Sequence, residues 1–397
     1  MDSMSGFPPE EDSLITLSTW QDPDSIHWSF QHMRELIPSQ VIPAPAHARP
    51  LRQGKDVDLA TVPVKRLSGE ESTFADVVSD TWTDALLVLH RGRLLTERYY
   101  GGFTSETPHL LMSVSKSIVG CVAGNLVDRG VLDPALPVEK YVPEVADSGY
   151  GGATVRDLLD MRTGVLFRES YEDPDAEIRV MERSMGWRPW LDGDPIGAYA
   201  YLATLTRTAD HGGPFTYRSA DTDMLGWVCE RAADMRIADL VSTLVWQPLG
   251  AEAAAEITCD AVGTGIHDGG ISAVARDVAR FGQLLLDSGR VGRRHVVPGS
   301  WIADAWNRPE DVREAFAQSD NEPVLPGGWY RNQFWFVPSM AGDALVCLGI
   351  HGQMVYVQPS TGLVGVKLSS WPTAQHTSSL VDTLRAFGAL GAQLGPA

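Results

Sequence analysis

The chain has 397 residues, 44% of them hydrophobic and 21% charged, and 51 acidic against 32 basic side chains give a formal net charge of −19. Such a length and composition describe a globular protein with a large core, built as one big or two interleaved domains. So acidic a surface repels phosphate backbones and anionic lipid, which excludes nucleic acid and a membrane as main partners.

Taken in chain order, the first dozen residues are acidic, with prolines at Pro8 and Pro9. They have neither the basic nor the apolar region of a signal peptide, and no later run approaches a membrane span, so the sequence predicts a cytoplasmic protein. Residues 1–50 read as an N-terminal arm with one helical piece around 28–36 and a proline-rich linker over 43–50. The arm is expected to wrap the body and to do no chemistry. Residues 85–90 and 94–100 read as two strands joined by the turn Arg91-Gly92-Arg93.

The next stretch, Leu110 to Gly120, contains Ser113-Val114-Ser115-Lys116 and leads into a helix whose apolar residues Ile118, Val119, Val122, Ala123, Leu126 and Val127 recur with helical period. Gly130 stops that helix. Ser113 therefore stands at a helix N-terminus with Lys116 one turn on, on the same face. The hydroxyl is a candidate nucleophile, the amine a candidate base, and the free N–H groups of the first turn suit a developing oxyanion. A match to S-x-x-K is by itself weak. Here lysine occurs only at Lys55, Lys65, Lys116, Lys140 and Lys367, and Lys116 sits in a run otherwise apolar and small. Burial predicts a depressed pKa that would let it act as a base near neutrality.

Between 151 and 270 the pattern turns to helices and loops: a short capped helix over 154–164, then a polar, aromatic loop with Tyr171, Glu172, Asp173, Glu182, Trp187 and Trp190. Tyr217 lies just before a helix through Leu225, Val228 and Cys229, where its phenol could relay protons. A helix over 275–287 follows, then helical residues at 301–306, strands at 344–350, 354–357 and 363–369, and a last helix over 378–394. Strands near both ends with helices between predict an α+β (α/β sandwich) fold: an antiparallel sheet flanked by helices plus a helical insertion. The sheet domain takes 51–150 and 271–397, the helical domain 151–270, and the active site lies at their interface. Cys121, Cys229, Cys259 and Cys347 sit in apolar contexts and read as buried free thiols. No zinc motif, dinucleotide loop or G-x-S-x-G elbow is present, so neither a metal nor a cofactor is expected.

Ser113-x-x-Lys116, Tyr217-x-Ser219 and Ile350-His351-Gly352-Gln353 occur in that order, and together with the segments around 154–164 and 276–287 they resemble the serine β-lactamase and penicillin-recognising superfamily, in its class C and esterase branch. The resemblance covers most of residues 80–390. Within the branch, 110–117, the loop from Tyr171 to Pro174, 349–353, 366–372 and Trp20-Gln21-Asp22-Pro23 resemble the 6-aminohexanoate-dimer (nylon-oligomer) hydrolases.

The resemblance implies Ser113 as nucleophile, Lys116 as general base made neutral by desolvation and contact with Tyr217, and Tyr217 as proton donor to the leaving group. It places the oxyanion between the N–H groups of Ser113 and Ile350, with His351 and Gly352 on the same strand and Ser219 in the tyrosine motif. It has Tyr171 bind the substrate amide from a mobile loop, and Trp187 and Trp335 line the pocket. Glu182 and Asp268 fall where those hydrolases tune recognition of a substrate amino end, with aspartate and asparagine there, and Arg218 puts a bulky cation near the cleft. The expected function is a serine hydrolase that cleaves a small linear amide or ester through an acyl-enzyme. The alternatives are a transacylase that passes the acyl group to an amine and a non-catalytic acyl- or β-lactam-binding protein. The resemblance also suggests a homodimer.

Overall fold

The computed structural model describes residues 3–397, so the first two residues of the arm lie outside it. Its centre is an eight-stranded sheet. The order runs Trp329–Arg331, Phe334–Val337, Ala344–Gly349, Gln353–Gln358, Leu363–Ser369, Thr83–His90 and Arg93–Tyr99, with Arg52–Gln53 added in parallel at the edge. All other neighbours are antiparallel. Leu363–Ser369, from near the C-terminus, pairs with Thr83–His90, from near the N-terminus, so the sheet is closed by the two ends of the chain.

Both faces of this sheet are covered, which is why its central strands read as continuous apolar runs instead of alternating ones. Leu87, Leu89, Val355, Val357, Val364 and Val366 point into one core, and Leu86, Val88, Met354, Tyr356 and Leu363 into the other. Successive side chains of a strand face opposite ways. The helix Ala275–Leu286 packs on the first face, with Val278, Phe281, Leu284 and Leu285 buried. The helices Phe74–Asp80 and Thr377–Leu394 cover the second.

The helix Val114–Asp128 is buried all round, from Val114 to Leu126. Two glycines allow its close packing. A Cβ on Gly124 would stand 2.5 Å from the Trp301 ring, and one on Gly120 2.7 Å from the Asn332 carbonyl. Between about 150 and 250 lie helices that include Val155–Leu159, Glu177–Ser184 and Ser219–Ala233, while Ala255–Thr258, inside the segment expected to be helical, is a strand.

The sequence pattern did not announce a second, four-stranded sheet, ordered Ser39–Ile42, Ala255–Thr258, Ile271–Val274 and Pro108–Leu110. It makes the arm part of the body. Ser39–Ile42 pairs with Ala255–Thr258, and the Trp20 indole N–H donates to the Trp187 carbonyl at 2.7 Å. The expected helical piece around 28–36 is two short turns, Ile26–Ser29 and Met33–Leu36. Cys121, Cys229, Cys259 and Cys347 are buried and free. Among the described residues no helix is long and apolar enough to cross a membrane.

A charged clasp holds the arm to the sheet. His27 Nδ1–H donates to Asp84 Oδ1 at 2.7 Å and Nε2–H to the Gly101 carbonyl at 2.9 Å, while Asp84 Oδ2 accepts from His109 Nε2 at 3.1 Å. The hydrogen bond to buried Asp84 outweighs burial and lifts the His27 pKa to about 9. A raised imidazole pKa stabilises the folded state fully below the unfolded value near 6.5, and that stabilisation disappears as pH rises through about 9. His27 is 43% exposed, so solvent screening holds the effect to about 1 kcal/mol. His27→Gln should therefore lower the unfolding midpoint at pH 6 and leave it nearly unchanged at pH 10. Thermal melts of both proteins across that range provide the check, and an equal loss at both pH values would mean that charge plays no part.

Candidate active site

The helix Val114–Asp128 starts at the edge of the cleft, and Ser113 is the residue that precedes it. The Ser113 hydroxyl does not cap the helix, so it is free for other work. Just before it, Met112 adopts φ +47°, a left-handed conformation that a non-glycine side chain holds only when its surroundings impose it. Lys116, one turn on, has a buried side chain. Its Nζ donates to Ser113 Oγ at 2.9 Å, to Ser219 Oγ at 3.1 Å, to the Asp268 carbonyl at 2.8 Å and to Asp268 Oδ2 at 3.3 Å.

This environment reverses one expectation. Burial alone would strip the proton from Lys116, but Tyr217, Asp268, Glu169 and Asp223 surround it with acidic groups, and the net shift is upward. At rest the side chain is an ammonium, not a neutral amine. The matching effect falls on Asp268: burial, reinforced by Asp223 and Glu169 against the pull of Lys116, raises its carboxyl to about 7. Asp268 Oδ1 is buried without a partner. A half-satisfied buried carboxylate is a good proton acceptor.

Tyr217 precedes the helix Ser219–Ala233 and its ring stacks on Trp335, with centroids 5.2 Å apart. Ser113 helps to set the protonation of its phenol, and Lys116 Nζ lies 5.3 Å from the ring centre. Burial, partly offset by the Lys116 charge, raises its pKa, so Tyr217 is a neutral phenol able to donate.

The opposite wall is the strand Ala344–Gly349 and the turn Ile350–Gly352. Gly349 lets that turn approach the nucleophile. A Cβ there would stand 2.7 Å from the Leu111 carbonyl and 3.1 Å from Met112 Cβ. His351 adopts φ +60°, a second strained residue beside the site, and its N–H at Nδ1 donates to the Trp371 carbonyl at 2.7 Å. Burial first, and then the charges of Arg179 and Arg188, push its pKa down to about 4, so it is neutral. The close approach of Gly349 to Leu111 and Met112 sets the Ile350 turn beside the helix start at Ser113, and both residues line the cleft.

The cleft, of about 1090 Å³, is lined by Ser113, Tyr171, Tyr217, Trp335, Ile350, His351 and Gly352, all singled out from the sequence. Lys116, Ser219, Asp268, Glu182 and Trp187 stand behind its wall. Trp187 is buried, with its N–H on Thr258 Oγ1 at 3.2 Å. Glu182 is only 2% exposed and its Oε2 accepts from Arg179 at 2.6 Å and Arg188 at 2.5 Å. It therefore offers no free carboxylate, and the acidic subsite expected there is replaced by two arginines. Arg218 is buried away from the cleft with its Nη1 on the Thr216 carbonyl, so no bulky cation stands there.

The sequence reading missed Glu169, Asp223, Gln21, Arg179 and Arg188. Glu169 accepts from Ser219 Oγ at 2.6 Å, Ser219 N at 3.0 Å and the Tyr171 phenol at 2.7 Å. It links the loop to the helix that carries Tyr217. Asp223 Oδ1 accepts from the N–H groups of His267 and Asp268 at 2.8 and 3.1 Å and so fixes the turn beside Lys116. Among the described residues no group of histidines, cysteines and acids is placed to hold a metal ion.

With this geometry in hand, the chain was compared with known proteins. Residues 74–389 match the family model described as Beta-lactamase. The chain is 38% identical over 386 residues to 6-aminohexanoate-dimer hydrolase of Paenarthrobacter ureafaciens, covering 94% of this chain and 95% of that protein. A solved structure of a Bacillus anthracis homologue of that enzyme superposes with a TM-score of 0.88 at 26% identity, over 98% of this chain and 99% of the other. EstCE1, a hydrolase with promiscuous acyltransferase activity, shares the fold with a TM-score of 0.62 at 18% identity, over 80% and 96% of the two chains.

The close approach at Gly349 generates a test. Its φ of −130° suits any residue, so Gly349→Ala acts only by pushing the Ile350 turn from Ser113. One oxyanion donor is worth roughly 2.7–4 kcal/mol in other enzymes, and a partial displacement should lower kcat for a p-nitrophenyl ester at least about tenfold with KM little changed. Steady-state kinetics decide, and an unaltered kcat would remove Ile350 from the oxyanion site.

Proposed function

Since the chain belongs to the β-lactamase family and is a serine hydrolase, we propose that it cleaves small linear amides or esters, in the manner of its 6-aminohexanoate-dimer hydrolase relative, through an acyl-enzyme on Ser113. The observation that carries the proposal is Lys116 Nζ at 2.9 Å from Ser113 Oγ and 5.3 Å from the Tyr217 ring centre, at a cleft lined by Ser113 and Tyr217 and large enough for a small substrate.

Because Lys116 rests as an ammonium, it must release a proton before it can accept one. Asp268 Oδ2, 3.3 Å away and with its pKa near 7, is the acceptor. The pair then passes from ammonium and carboxylate to amine and carboxylic acid with no change of net charge, which suits a buried site. Lys116 next takes the Ser113 proton as Oγ bonds to the substrate carbonyl carbon. The carbonyl electron pair moves to oxygen, held by the N–H groups of Ser113 and Ile350. Collapse of this intermediate expels the amine or alcohol, which takes a proton from Tyr217, and Tyr217 regains one from Lys116. Water then adds to the acyl-enzyme by the same steps, the acid is released, and Ser113 recovers its proton.

Product analysis with p-nitrophenyl acetate and with the linear 6-aminohexanoate dimer, each with and without an added primary amine, tests the reaction class. Release of free acid supports hydrolysis. Amide forming faster than acid would transfer the reading to acyl transfer. Ser113→Ala should remove fluorophosphonate labelling and reduce ester turnover at least about 10³-fold; continued labelling would mean another nucleophile. The proton path makes a separate demand. In the native protein kcat/KM for a neutral ester should rise through about pH 7, and Asp268→Asn should move that limb away from 7. A limb that stays in place would take Asp268 out of the path.

A further inference from the structure

Charge is distributed unevenly around the cleft. On the wall formed by the arm, the Tyr171 loop and the His351 turn, Arg179 and Arg188 both reach Glu182 Oε2, so two cations share one buried carboxylate. Arg179 also donates to the Tyr171 carbonyl, and Arg188 to Gln21 Oε1 at 2.6 Å. A guanidinium has five N–H donors, so these contacts leave donors on each side chain. Both arginines line the cleft, 15% and 29% exposed, while Glu182 is 2% exposed. The charge presented to a substrate on this wall is therefore positive. Their field reaches the turn that carries Ile350, since it helps to keep His351 neutral. Arg168, also at the cleft, is engaged by Asp173 and Glu177. Asp22, Glu172 and Asp320 line the cleft as well, but they are exposed and their charges are screened by solvent, while Glu169, the half-buried acid of the lining, is taken up by Ser219 and the Tyr171 phenol and acts on Lys116.

The reacting groups fix which part of a substrate meets this wall. On the acyl-enzyme reading the leaving group departs beside its proton donor, Tyr217, whose ring stacks on Trp335. The acyl chain then points away from that pair, and the other charged lining it can meet is the arginine pair beside Tyr171. Resting on the acyl-enzyme reading above, we propose that Arg179 and Arg188 form an anion subsite that selects substrates whose acyl chain ends in a carboxylate, that is, half-amides or half-esters of short dicarboxylic acids. A carboxylate there would accept from two fixed donors in a recessed setting, where such charge-assisted bonds are strong. An ammonium at the two guanidinium groups would meet like charge, with the neighbouring Glu182 carboxylate already taken up by both arginines.

A series of p-nitrophenyl esters separates the charge from the chemistry, because the leaving group is constant. We expect kcat/KM for mono-p-nitrophenyl glutarate or adipate to exceed that of p-nitrophenyl butyrate by about tenfold or more at low salt, and p-nitrophenyl 5-aminopentanoate to be the poorest. Added salt should shrink the anionic preference. Arg188→Gln should lower the anionic-to-neutral ratio about tenfold, and Arg188→Lys, which keeps the charge, should recover part of it. The native series stands even where a variant fails to fold. Equal rates for the three acyl charges, or a preference for the ammonium, would overturn the subsite while leaving the hydrolase reading intact. A preference seen only with anionic leaving groups would overturn its placement on the acyl side. Turnover of no ester, or turnover that survives Ser113→Ala, would overturn the hydrolase reading and the subsite with it.

Discussion

The site depends on a buried ammonium among carboxylates. Lys116 lies at the centre of the molecule, and a cation there is tolerated only because Ser113, Ser219 and Asp268 accept its protons and Glu169 and Asp223 add negative potential. Each of those groups is then fixed by its own partners: Ser219 by Glu169, and Asp268 by the Asp223 cap on its backbone. The nucleophile is thereby positioned before any substrate arrives. The same arrangement has a cost, since a lysine so well held is a poor base until a neighbour relieves it of a proton. In the proposed path Asp268, with one oxygen unpartnered and its carboxyl raised to about 7, takes that proton.

The fold brings two parts of the cleft from distant parts of the chain. Ser113 enters from the N-terminal part at a helix start, and Ile350 from the C-terminal part at a strand end. They meet because Leu363–Ser369 pairs with Thr83–His90 and closes the sheet, and because Gly349 leaves room for the turn against Leu111 and Met112. Positive φ at Met112 and at His351 marks the places where this approach bends the backbone away from its preferred conformations.

Much of this was legible in the residues. The sheet strands, the helix after Ser113, the Ser113–Lys116 pair on one helix face and the tyrosine before its helix all have local signatures: apolar runs, a helical period, fixed short spacings. The small sheet had none, because its strands Ser39–Ile42, Pro108–Leu110, Ala255–Thr258 and Ile271–Val274 are short and far apart in sequence, so only the fold assembles them. Ile350 to Gly352 read as strand in the sequence, and the structure makes them a turn after the strand end at Gly349. The protonation of Lys116 was misjudged because burial is visible in an apolar run, whereas the acids that oppose it come from Glu169, Asp223 and Asp268, each on a different segment. Glu182 misled in the same way. Its partner Arg179 is one helical turn away and was there to be noticed, but nothing local shows that Arg188 turns back onto the same oxygen.

Reaction and selection are thus carried by different kinds of structure. In the proposed mechanism the groups that move protons sit on a helix buried all round, on a second helix start and on a capped turn, all tied to the sheet and its cores. The groups proposed to meet the far end of the acyl chain sit on the Tyr171 loop, the Glu177–Ser184 helix and the segment after it, braced by the arm through Gln21 on Arg188 and Trp20 on Trp187. A substitution in the first set disturbs several coupled buried charges at once. A change in the second set alters which charge the wall presents without touching Ser113, Lys116 or Tyr217. On that proposal selectivity can change over one unchanged chemistry, and the arm takes part in it because Gln21 holds one of the two cations in place.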